Sequence, residues 1–276
     1  MNRFTAVFAA VFLSFGLVLS GGAPAQAAAQ STLTLVGTPA TGLMGTPIVL
    51  STTGGSGTGI VSYMVTGAGC SVTGSSLKAS KLTTCIVKAT KAASAGFALK
   101  KSLPVSFIFG IAVGVGPLAT YTIQAQPAAG SCHYRWATGA KPLPDVRCTP
   151  GVKNPAVTQA TLFTTICLSG YTDTIRPPTN ITGPEKIANA AAYSYTESLS
   201  LAEYDHFISL QLGGDPNDAR NLWVQPHDPN YVSYYNAKDT VESRLKTAIC
   251  DGSITLDQAQ KAIVTNWTTA LSSLGL

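Results

Sequence analysis

Two of the three histidines in this chain, His206 and His227, fall within one short segment, EYDHFISLQLGGDPNDARNLWVQPHD, from Glu203 to Asp228. His206 directly follows Asp205, and an Asn-Leu-Trp run begins at Asn221. Only 11% of the chain is Asp, Glu, Lys or Arg, so the segment is a local concentration of reactive groups. An imidazole exchanges its proton close to neutral pH and acts as a general base when neutral. A carboxylate oxygen is a hard donor that suits Mg²⁺ or a similar divalent ion. The segment therefore carries the residue types for proton transfer beside a cation.

The elements around it must bring these groups together. The alternation in EYDHFISLQL predicts a strand, in which Asp205 and His206 project to opposite faces and do not simply pair with each other. Glu203 shares the face of Asp205, either as a neighbour or extra ligand of the same site or as a solvated strand residue. LGG marks a sharp turn, and NLWVQ predicts a second strand with Trp223 as a core residue. NAKDTVESRLKTAIC predicts a helix, because Val241, Leu245 and Ile249 recur at i, i+4 and i+8. Strand, turn, strand and helix make a compact unit whose loop and helix start can converge on one pocket. Helices are also predicted in ITGPEKIANAAAYSY, in NPAVTQATLFTTIC as a short one, and in TLDQAQKAI. In the last, Thr255 and Gln258 have capping-box spacing, and Ala259 and Ile263 face one way.

With 276 residues the chain has room for two domains. A positive start, an apolar run from Phe4 to Ser20 and the small-residue sequence Ala25-Gln26-Ala27 have the layout of a signal peptide over residues 1–27. The run is short for an anchor and lacks a stop-transfer flank, so a secreted, extracellular protein is expected. A second apolar run, Leu103 to Ala119, is broken by glycines and prolines. It reads as a core strand followed by an apolar linker, and no stable membrane span is expected. Export makes the six cysteines disulfide partners rather than metal ligands, and no Cys-x-x-Cys pair is present.

Charge divides the chain in two. All 13 acidic residues lie after position 130, whereas residues 31–130 contain six lysines and no acid. A basic front part suits an anionic cell-surface polymer, with solubility as the plainer role for its lysines. Residues 31–112 read as all-β. STLTLVG, TPIVLSTT, GIVSYMVTG, CSVTG, SLKAS, TCIVKAT and LPVSFIF are short strands separated by Gly, Pro and Ser, the pattern of a sandwich. Cys70 and Cys85 flank two of these runs and are expected to staple neighbouring strands. Residues 113–131 read as a linker, and from Cys132 to residue 276 the composition changes to include the acids, histidines and tryptophans. The stretch from GGSGTG through GCSVTG to TCIVKAT resembles bacterial immunoglobulin-like repeats of secreted proteins. That resemblance implies a module for spacing or adhesion.

The pattern DHFISLQLGG followed by NLW, together with LPDVRCTPGVKNPAVTQATLFTTICLSGYTDTIRPP, resembles secreted actinobacterial members of the HNH (ββα-metal) endonucleases. It covers about residues 141–270. The resemblance implies an α+β domain containing a ββα-metal unit, behind an immunoglobulin-like β-sandwich. It implies hydrolysis of phosphodiester bonds in DNA, with RNA as the other substrate, and a divalent metal, Mg²⁺ first and Mn²⁺ as an alternative. His206 matches the general base and Asn221 the residue that orients the catalytic loop. Asp205 matches a metal ligand. The last ligand position is open between Asn236, which is favoured, and His227. Lys238 is placed to contact phosphate. The guanidinium of Arg176 suits phosphate and carboxylate equally.

With Cys70 paired to Cys85, the cysteines Cys132, Cys148, Cys167 and Cys250 leave three connectivities. Cys167–Cys250 with Cys132–Cys148 ranks first, because it ties an early segment to the helix after the site. No serine-nucleophile elbow and no paired glycosidase carboxylates are evident. The alternative to an enzyme is a non-catalytic surface or adhesion protein with a degenerate nuclease-like fold. The small number of basic residues after position 130 favours that alternative.

Overall fold

The computed structural model describes residues 26–227 and 236–276. The expected signal peptide therefore lies almost wholly outside the described residues. All seven short runs of the front part form strands, because each alternates buried and exposed side chains. In β7 (Thr83–Lys91), Cys85, Val87 and Ala89 turn inward while Ile86 and Lys88 turn out. One sheet orders β1 (Leu33–Thr38), β3 (Ile48–Gly54), β6 (Ser76–Ala79) and β5 (Cys70–Thr73). The other orders β2 (Gly42–Leu43), β9 (Val105–Gly110), β7 and β4 (Val61–Thr66), with β8 (Lys100–Lys101) also paired to β7. The inward residues of both sheets, among them Leu35, Ile48, Leu77, Val87, Phe107 and Phe109, form one core. Cys70 bonds Cys85 across that core, so the disulfide joins strands of opposite sheets rather than neighbours in one sheet.

The rest of the chain is built differently. β10 (Ala112–Val113) pairs in parallel with β13 (Val152–Lys153), and β11 (Arg135–Ala137) pairs with β12 (Lys141–Leu143). β14 (Ala202–His206) and β15 (Leu222–Pro226) form an antiparallel pair with His206 opposite Leu222 and Asp205 opposite Trp223. The helices are α1 (Tyr171–Ile175), α2 (Thr179–Ala192), α3 (Ala237–Cys250), α4 (Leu256–Asn266) and α5 (Ala270–Ser273). The chain is thus a multi-sheet α+β protein. Its second core gathers Phe207, Leu212 and Trp223 with Leu245 and Ile249 of α3 and Ala259 and Ile263 of α4. The helical stripes read from spacing are the ones that are buried. The capping box of Thr255 and Gln258 opens α4 with both reciprocal bonds in place.

Two expectations fail. NPAVTQATLFTTIC forms only one 3₁₀ turn, Leu162–Thr164. Its threonine hydroxyls bond to local backbone, as Thr161 Oγ1 does to the carbonyl of Ala156, and so compete with helical pairing. Residues 113–131 are not a free linker. They form a strap whose polar atoms are bound at several points: Gly116 N donates to Asp215 Oδ2 at 2.7 Å, Tyr121 to the carbonyl of Ile175 at 2.6 Å, and Gln124 N to Glu185 Oε1 at 2.7 Å.

The other disulfides are Cys132–Cys148 and Cys167–Cys250. The second fastens the segment before α1 to the C-terminal end of α3. Three disulfides fit an oxidising compartment. Among the described residues no helix is long and apolar enough to cross a membrane. The sequence separations, 83 against 16, give the disulfides different weight in restraining the unfolded chain. Replacing Cys167 and Cys250 by alanine is expected to cost about 4–5 kcal/mol, and replacing Cys132 and Cys148 about 3 kcal/mol. Denaturant unfolding of the two double variants checks that order.

Candidate functional site

The site begins where β14 ends. After His206 the chain leaves the ladder, makes a 3₁₀ turn at Leu210–Leu212, and rejoins at Leu222. Asn221 holds this excursion closed. It is fully buried, and its amide makes four hydrogen bonds: Oδ1 accepts from Val152 N and Ile208 N, and Nδ2 donates to the carbonyls of Ile208 and Asp215. The two glycines of LGG are needed here for backbone reasons. Gly213 has φ +74°, and a Cβ on Gly214 would collide with the carbonyl oxygen of Ile208.

The closed loop turns the carbonyl of Pro216 onto the ring of His206, 2.9 Å from Nε2. A carbonyl only accepts, so Nε2 carries the hydrogen and Nδ1 keeps its lone pair. Nδ1 makes no hydrogen bond among the described residues, and His206 borders a pocket of about 320 Å³. Burial lowers the pKa of His206 to about 4, against the opposing effects of the Pro216 bond and the Asp205 charge. The imidazole is therefore neutral at neutral pH.

Asp205 borders the same pocket, although strand alternation predicts the opposite face. The strand ends at His206, so the alternation stops holding there. Asp205 Oδ2 accepts from Lys238 Nζ at 2.7 Å and from the Trp223 indole at 3.2 Å. Lys238 has no exposed surface. Its ammonium also donates to the carbonyl of His206 at 2.8 Å and to Glu242 Oε1. Burial works against this charge, but attraction to Asp205 and then to Glu242 outweighs it and raises the pKa of Lys238. Burial also pushes Glu242 up, so Asp205 is the first counter-ion.

These contacts change the role expected for Lys238. It is a buried tie between α3 and β14, with no surface left for a phosphate. Asn236 is buried at the start of α3, and its amide donates to Glu203 Oε2 at 3.4 Å. Glu203 is exposed along one edge, and burial of the remainder with the like charges of Asp205 and Asp239 raises its pKa. His227 lies at the far end of the hairpin, where its backbone N–H bonds to the carbonyl of Leu201, and it does not line the pocket.

A divalent ion is the group that the resemblance implies. Asp205 Oδ2 already serves two donors, Asn236 turns its donor nitrogen to Glu203, and His227 is outside the pocket. Among the described residues no group of three or more His, Cys, Asp or Glu side chains is placed to hold a metal ion.

The pocket also includes residues that sequence reasoning did not single out: Thr172, Ser209, Gln211, Asp239, Glu242 and Lys246. Asp239, Glu242 and Lys246 are spaced i, i+3 and i+7 on α3, a helical signal that was available in the sequence. Ser209 had no such signal. Trp223 is fully buried, as expected for a core residue. Arg176 follows α1 and borders the pocket. A larger cavity lined by Thr240, Arg244 and Leu276 touches none of these groups except Asp239. Comparison with protein-family models, curated proteins and solved structures found no match.

Removing the ammonium while keeping the bulk would leave two buried carboxylates without their cation. Lys238→Met is expected to destabilise the fold by about 3–5 kcal/mol, the usual cost of breaking a buried ion pair from one side. Urea unfolding at pH 7 measures it.

Proposed function

We propose that the pocket is the active site of an HNH-type endonuclease that hydrolyses phosphodiester bonds, with DNA as the favoured substrate. One observation carries this reading. His206 is a neutral imidazole whose Nε2–H is committed to a backbone carbonyl, and the residue borders a polar pocket. That arrangement suits a general base. In the reaction Nδ1 takes a proton from water, and the hydroxyl oxygen bonds to phosphorus. The phosphorus–oxygen bond to the leaving strand then breaks, and the departing oxygen is protonated by solvent. Asn221 contributes by fixing the loop that presents Pro216. Lys238 keeps Asp205 and the His206 backbone in place.

The reading takes Mg²⁺ or Mn²⁺ from the family resemblance, and no step here passes through it. The front module reads as an immunoglobulin-like spacer of a secreted protein. Its six lysines, with no acid among them, supply a net positive charge for contact with an anionic polymer, whereas residues 131–276 carry 11 basic and 13 acidic side chains.

His206→Ala is expected to lose roughly 10²–10⁴-fold in cleavage rate while folding normally. The test is a plasmid and linear-DNA assay with Mg²⁺, Mn²⁺ or EDTA. Activity that survives both His206→Ala and EDTA would rule the reading out. An inactive wild-type protein would favour the binding-module alternative.

The pH dependence follows from the lowered pKa of His206. Above the unfolded value of about 6.5, both folded and unfolded states hold the ring neutral. Below it, the unfolded chain binds a proton that the folded site refuses until about pH 4. His206 therefore costs stability progressively as the pH falls through that window. The base itself stays deprotonated there, so the acid limb of the rate profile should lie well below pH 6.5. Thermal unfolding and cleavage rates over roughly pH 4–8 check both statements, with His206→Gln expected to flatten the stability curve.

A further inference from the structure

One end of the front module gathers four of its six lysines. Lys91, the last residue of β7, stands opposite Lys100 of β8, and Lys101 stands opposite Thr90. Lys88 lies two residues before Thr90 and opposite Met64 of β4. Like charges set directly across a strand pair repel each other. No acid relieves this repulsion. The chain holds none before position 131, and none of the four lysines makes an ion pair among the described residues. Lys91 donates to the carbonyl of Gly55 at 2.8 Å, while Lys88 and Lys101 are exposed. Large apolar side chains stand among these charges. The carbonyl of Ile60 accepts from Ala92 N, Leu99 precedes Lys100, and Leu103 follows Ser102, whose N–H bonds to the carbonyl of Ala89. Ile60 and Leu103 are each 83% exposed, and Met64 and Leu99 are more than half exposed. A single exposed aliphatic is ordinary, but four apolar side chains interleaved with lysines make a patch that marks a contact surface.

The patch lies away from the rest of the chain. The start of β7, Thr83 and Thr84, borders a cavity together with Lys153, Asp257 and Lys261. From Thr84 the strand runs roughly 23 Å to Lys91, at about 3.3 Å per residue. A soluble polyanion would meet the ammonium groups there and leave the apolar side chains in water. A second copy of the chain would set like charge against like. A bilayer with anionic headgroups uses both kinds of group, since ammonium groups settle at the phosphates while aliphatic side chains enter the acyl boundary. We propose that this end of the front module docks onto an anionic lipid surface, with Lys88, Lys100 and Lys101 at the headgroups and Ile60, Leu99 and Leu103 inserted among them. The contact is peripheral, with no segment crossing the bilayer. It goes beyond the nuclease reading and does not rest on it.

The test is co-sedimentation of the whole protein with phosphatidylcholine vesicles, with and without phosphatidylglycerol, over a salt series. The wild type should bind the anionic vesicles, leave them as salt rises, and bind the neutral vesicles far more weakly. Lys88→Gln, Lys100→Gln and Lys101→Gln should each weaken binding about fivefold, and the triple variant roughly a hundredfold. Ile60→Ser and Leu103→Ser should each weaken it roughly tenfold, a loss that persists at high salt. If the wild type binds anionic vesicles no better than neutral ones, the docking surface is wrong. It is equally wrong if the lysine and serine variants all bind as the wild type does. Inorganic polyphosphate is the soluble comparison. Tight polyphosphate binding with no effect of the serine variants on vesicles would assign the patch to a soluble polymer and overturn the lipid. Self-association in sedimentation velocity, abolished by the serine variants and without vesicle binding, would make the patch a contact between copies and overturn it too. Should the triple lysine variant fail to fold by circular dichroism, the single variants decide the matter.

Discussion

The ammonium of Lys238 is the interaction on which the arrangement of the site depends. It is buried without exposure and is held by Asp205, Glu242 and the carbonyl of His206. Two of these contacts reach from α3 to β14. An isolated ammonium in the interior would lose its proton or draw in water. Here two carboxylates and a carbonyl repay the lost hydration, so the charge becomes a fixed point between helix and strand. Asp205 is oriented by the same contact and by the Trp223 indole. A carboxylate that looked like a metal ligand in the sequence thus has a structural partner of its own.

Asn221 does for the loop what Lys238 does for the helix. Its four amide bonds satisfy backbone groups of the excursion between β14 and β15, and one of them reaches Val152 in β13. An aspartate would lose both donated bonds, and an alanine would leave several buried backbone groups unpaired. The loop is then stiff enough to present the Pro216 carbonyl to His206. The strap of residues 113–131 adds to this from outside. Gly116 and Thr122 bond to Asp215 and Asn217, on either side of Pro216.

The pocket has two kinds of wall. Asp205 and Glu242 share the single ammonium of Lys238, and Glu203 and Asp239 add further negative charge to the same wall. Arg176, Lys246 and Ser209 are unspent among the described residues.

Much of this architecture was legible in the sequence. Period-two runs gave the strands of the front part, and the stripe Val241, Leu245, Ile249 and the Thr255–Gln258 box gave α3 and α4. These are local signals, set by which side chains must be buried and which backbone donors must be capped. His206 was singled out by its place beside Asp205, and the roles of His206 and Asn221 came from the family resemblance. The partners of those residues were not legible. The sequence did not show that Lys238 would turn inward to Asp205, or that Cys70 and Cys85 would join opposite sheets. Nor did it show that Ser209 would end up buried and unbonded. Each depends on which elements, distant in sequence, come to lie side by side. Sequence by itself determined the elements and their buried faces, because periodicity and capping act over a few residues. Only the tertiary structure decided which charges are spent on one another and which remain free, because pairing is fixed by packing across the whole domain.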